Sequence, residues 1–144
     1  MIEQDTIKLL RECDAGIRMG VDSIGDVLDH VRDSDLKNYL VTALREHKEL
    51  DVELQEQLDR YGDEGKAPNP VAKSMSWMKT AVKLQWNESD ATIAELMTDG
   101  CHMGVKSLSR YLNQYAAADE TSKHICKNLI ILEDRLGSQM RAYL

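Results

Sequence analysis

Proline placement constrains this chain more than any other feature. Its two prolines are Pro68 and Pro70, so residues 1–67 and 71–144 each run without one. Proline costs a helix interior about 3 kcal/mol or more, because it lacks a donor and clashes with the preceding turn. Long proline-free stretches therefore tolerate long helices, and the apolar spacing asks for them. In the first stretch, Leu10, Cys13, Ile17, Gly20, Ile24, Val27 and Val31 step by three and four. A second series follows at Leu36, Leu40, Ala43, His47, Leu50, Leu54, Gln57 and Tyr61. This is the seam of a helix packed along one face. The same stepping returns at Ala94, Met97, Cys101, Gly104, Leu108, Tyr111 and Tyr115, and again at Ser122, Ile125, Leu129, Leu132, Leu136 and Tyr143.

The breaks between these series place the helix ends. Asp5 is read as the cap of the first helix and Ser34 as the cap of the second, after a stop near Arg32. Gly62 supplies the stop of the second. The polar segment "GDEGKAPNP" is a loop, and Asn69-Pro70 can open a short helix with the stripe Val71, Met75, Met78, Val82 and Trp86. Ser89 and Asp119 then cap the third and fourth long helices. The fold class expected is all-α: one domain over 1–144, with a hairpin at about 5–61, a crossover helix at about 70–86 and a second hairpin at about 89–144.

The two hairpins share a design. "GIRMGVDS" at 16–23 and "GCHMGVKS" at 100–107 are related by an offset of 84, which carries every seam position of the first helix onto one of the third. Each copy holds two glycines four apart, Gly16 with Gly20 and Gly100 with Gly104, although glycine costs a helix about 1 kcal/mol relative to alanine. Two explanations are open. Small residues at this spacing let two helices approach closely, or the glycines leave room in mid-bundle for a ligand or a bulky neighbour.

Two long antiparallel hairpins joined by a long crossover resemble the ferritin-like four-helix fold. The stretches "ECDAGIRMGVDSI", "ELQEQLDRYG" and "WMKTAVKLQWNESDATIAEL" resemble, more narrowly, bacterial ferritin-like domains of unknown function. The resemblance implies a dinuclear metal centre in mid-bundle, built from one Glu on each of two helices and a Glu-x-x-His pair on each of the others. This chain contains no Glu-x-x-His. Its nearest approach, Asp99-Gly-Cys-His102, points away from the seam. His47 sits on the second seam where leucine is expected, and Asp14 flanks the first. These are the remaining candidate ligands, and if they meet they form a buried hydrogen-bonded pair. Glu46, Glu49 and Glu133 are read as solvated flank charges. No metal or cofactor is expected; iron, manganese or zinc at His47 and Asp14 is the alternative.

Composition narrows the partners. A net charge of -7 without a basic cluster disfavours nucleic acid. No apolar run approaches the ~20 residues that span a bilayer, and the first residues lack a secretory pattern. Cys13, Cys101 and Cys126 are an odd number without metal-type spacing, which fits a reducing cytoplasm. Phosphate-loop, dinucleotide and nucleophile-elbow motifs are missing. Trp77, Ile130 and Ile131 fall off the seams and call for cover, Ile130 and Ile131 from the crossover helix and Trp77 from a second subunit. The expected function is a non-catalytic scaffold or interaction protein, acting as a homodimer or as an adaptor for another protein. The alternative is a degenerate metal or cofactor site near His47 and Asp14.

Overall fold

The computed structural model describes residues 2–67 and 89–144. Four long helices make it up: α1 (Ile2–Leu28), α2 (Ser34–Arg60), α3 (Asp90–Gln114) and α4 (Glu120–Met140), followed by a single 3-10 turn at Arg141–Tyr143. No strand occurs among the described residues. The crossover helix expected at 70–86, and with it Trp77, lies outside them.

Side chains close three of the helix starts. Asp33 accepts from the Leu36 amide at 2.9 Å, Ser89 from Thr92 at 3.2 Å and Asp119 from Ser122 at 2.8 Å. The cap of α2 is thus Asp33 rather than Ser34, and α1 stops at Leu28, a turn before the expected Arg32. Asp5 is not a cap; it lies inside α1 and its carboxylate accepts from the Ala117 amide at 3.0 Å. At the far end of α2, Gly62 adopts φ +64°, with Gly62 N–H on Asp59 and Asp63 N–H on Leu58. That is the left-handed glycine stop with its paired backbone bonds.

The end contacts fix the topology. The link between α1 and α2 meets the start of α3, where the Asp90 carboxylate accepts from the Arg32 and Asp33 amides, each at 2.9 Å. The opposite link meets the start of α1, where Asp5 holds Ala117 and the Thr6 hydroxyl accepts from the Asp119 amide at 2.8 Å. Hence α1 runs antiparallel to α2 and α3 and parallel to α4. Packing joins α1 to α2, α3 to α4, α2 to α4 and α1 to both α3 and α4.

The core falls into two apolar clusters stacked along the bundle. One gathers Leu9, Cys13, Ile17, Leu50, Leu54, Leu58, Leu108, Ile125, Cys126 and Leu129. The other gathers Ile24, Val27, Leu36, Leu40, Ile93, Met97, Cys101, Leu136 and Met140. Most expected seam positions are buried, with local departures. Leu58 rather than Gln57 continues the α2 face, Ile93 and Leu96 join the α3 face, and Tyr111 and Tyr115 are half-buried, stacked with ring centroids 6.2 Å apart.

Candidate functional site

Between the two apolar clusters lies one cross-sectional layer with a residue from each helix: Gly20 on α1, His47 on α2, Gly104 on α3 and Glu133 on α4. His47 Nε2 stands 2.8 Å from Glu133 Oε1, and its Nδ1 stands 2.6 Å from the Ala43 carbonyl. The His47 side chain is wholly buried and that of Glu133 is 12% exposed. A Cβ on Gly20 would stand 2.9 Å from the imidazole, and one on Gly104 would stand 3.2 Å from Glu133 Oε2. The two glycines therefore vacate the volume that the histidine and the carboxylate fill. Of the two explanations for the repeated glycines, Gly20 and Gly104 fit the second, with protein side chains as the bulky neighbours. Gly16 packs on Leu129 and Leu108, whereas Gly100 is exposed and meets nothing within 4 Å, so the close-packing expectation fails there.

Both ring nitrogens of His47 face acceptors. A carbonyl takes a proton but cannot give one, so Nδ1 carries hydrogen, and Nε2 faces a carboxylate oxygen. Only with one proton beyond the neutral imidazole do both contacts become hydrogen bonds. Burial alone would lower the histidine pKa. The Glu133 hydrogen bond and charge, with smaller help from Ala43 and Glu46, outweigh it and hold the pKa above its ordinary value. Cys101 adjoins the same carboxylate, and burial, reinforced by Glu133, pushes its thiol pKa well up. It is a protonated core thiol rather than a nucleophile. On the outer side of the α2–α4 seam, Arg135 pairs with Glu46 at 3.0 Å.

His47 and Asp14 do not form the pair anticipated from the sequence. The carboxylate of Asp14 lies about two helical turns along α1 from Gly20, the residue that faces His47. It is fully buried and accepts from Arg18 Nη2 at 3.0 Å, Gln55 Nε2 at 3.1 Å and the Lys66 amide at 2.9 Å. Its role is to bind the segment that leaves α2. There Gly65 adopts φ +84°, and a Cβ on it would overlap the Asp14 carboxylate. The Lys66 ammonium completes the clasp on Glu12 at 2.6 Å.

Glu133 is the residue that sequence reasoning misplaced. It flanks the Leu129–Leu132–Leu136 seam, and only the empty space above Gly20 and Gly104 draws it inward. Glu49 is exposed as expected, alongside Arg45 at 3.5 Å, while Glu46 is half-buried through its contact with Arg135. Asp99 and His102 are both exposed. A dinuclear iron or manganese centre does not fit this layer, where two helices offer glycine and the other two offer one imidazole and one carboxylate bound to each other. Among the described residues, no group of three or more His, Cys, Asp or Glu side chains could hold a metal ion. Nor, among them, is any helix long and apolar enough to cross a membrane. Comparison with family models, curated proteins and solved structures gives no match to this chain.

Proposed function

We propose that this chain is a ferritin-like bundle of two hairpins built on one design, working as a non-catalytic scaffold whose mid-bundle position is closed by a histidine–glutamate clasp. The observation that carries the reading is that closed layer. His47 and Glu133 satisfy each other and Ala43, and they occupy the space between Gly20 and Gly104 where an open site would need free ligands. The common design has support at the ends of the helices. The offset of 84 that relates Gly20 to Gly104 also relates Thr6 to Asp90, and each of these ties its own hairpin to the link of the other. His47 and Glu133 are 86 apart, as are the two caps Asp33 and Asp119, so the clasp joins equivalent positions of the second helix in each hairpin.

A protein of this kind acts through its outer surface, as a homodimer or on another protein, and a reducing cytoplasm suits its three buried thiols. The deciding experiment is elemental analysis of the purified chain after incubation with iron, manganese and zinc and removal of the excess. Substoichiometric metal, unchanged in Glu133→Gln, is the expected result. Near-stoichiometric metal that disappears in Glu133→Gln would overturn the reading and make the clasp a ligand pair. Sedimentation velocity on the same sample reads whether the working form is a dimer.

A further inference from the structure

The parallel pair α1 and α4 is held in a single register. Thr6 meets Asp119, Gly16 meets Leu129 and Gly20 meets Glu133, and each pair is 113 residues apart in sequence. Cys13 and Cys126 share that separation. They lie between the first contact and the next two, both point into the same apolar cluster, and neither has any exposed surface. With α1 and α4 rising equally per residue, the register sets the two thiols opposite each other across the bundle. Cys126 Sγ also stands 3.7 Å from the Leu108 carbonyl, which accepts its hydrogen.

We infer that Cys13 and Cys126 are an oxidisable dithiol that a hydroperoxide converts into a reversible disulfide bracing α1 against α4. The thiolate of one partner takes the terminal peroxide oxygen, the O–O bond breaks, and the departing hydroxide leaves as water with that thiol's proton. The other sulfur then attacks the sulfenic sulfur, the S–S bond forms, and the displaced hydroxide leaves as a second water with the second thiol's proton. Two thiols lose two electrons and hydrogen peroxide gains them. Sealed thiols are reached through transient local opening of the bundle, which favours a small neutral oxidant over a bulky disulfide. In a reducing compartment such a bond is a transient, signalling one.

The test is to treat the folded, fully reduced chain with hydrogen peroxide, block remaining thiols with N-ethylmaleimide, and map peptides without reduction. The expected product is a Cys13–Cys126 linked peptide within monomeric protein, with Cys101 alkylated. Dithiothreitol should reverse it, and the oxidised chain should melt about 10 °C higher because so long a loop is closed. Cys101→Ser should oxidise in the same way. Recovery of all three thiols alkylated, a disulfide that uses Cys101 or joins two chains, or oxidation of Cys126 beyond sulfenic acid without linkage would each overturn the inference.

Discussion

A histidine on an apolar seam is tolerable only if something opposite gives it both space and a partner. Here two helices give the space and a third gives the partner. Taken alone, replacing a core histidine by leucine removes a buried polar group and leaves stability similar or higher. Glu133 changes that expectation, because the substitution strands a carboxylate that is only 12% exposed. We expect His47→Leu to lower unfolding free energy by about 2 kcal/mol in urea titration, and the double substitution with Glu133→Leu to recover most of it. A pH dependence follows from the same contact. The folded histidine pKa lies above the unfolded value of about 6.5. Between the two values the native state binds more protons, so stability falls as pH rises. The contribution is complete below about pH 6.5 and is lost as pH climbs through the folded pKa. Urea midpoints measured from pH 6 to pH 9 should show this decline in the wild type and a flatter profile in the double variant.

At the scale of the helices, one glycine motif written twice has four different surroundings, and a set of alanine substitutions should read them. Gly20→Ala places a Cβ 2.9 Å from the His47 ring, inside a packed layer. We expect it to destabilise by about 1–3 kcal/mol despite the gain in helix propensity. Gly104→Ala sets a Cβ 3.2 Å from Glu133 Oε2, a contact eased by a shift of a few tenths of an ångström at the side-chain end, and should be near neutral. Gly100→Ala is open to solvent and should stabilise by about 1 kcal/mol, as measured by thermal melting. Four helices were legible from the sequence because seam spacing, proline placement and the caps Ser89 and Asp119 all agreed on them. Glu133 was not. Periodicity reveals which stripe of a helix is apolar, but not which polar residue at its edge is drawn in by empty space on two other helices. Asp14 was legible as an unusual flank residue, yet its partner Lys66 belongs to a loop with no periodicity to read.

For the molecule as a whole, Asp14 governs how the chain leaves the first hairpin. Its carboxylate holds Lys66, Gln55 and Arg18 at once, 0% exposed, with Gly65 pressed against it. Asp14→Ala should cost about 3 kcal/mol and release the segment 62–67, which would appear as faster proteolytic cleavage there while the helices stay protected. Asp14→Asn keeps part of the bonding and should fall between. The ties at the bundle ends reach further. Asp90, in the second hairpin, satisfies the amides of the first link, and Asp5 and Thr6, in the first hairpin, satisfy those of the second. Each hairpin thus carries the piece that completes its counterpart, and neither completes itself. Severed between Ala67 and Ser89, the two halves would behave as lock and key, each a poorly finished hairpin alone and a specific partner for the other, so this bundle is a natural pair for fragment complementation.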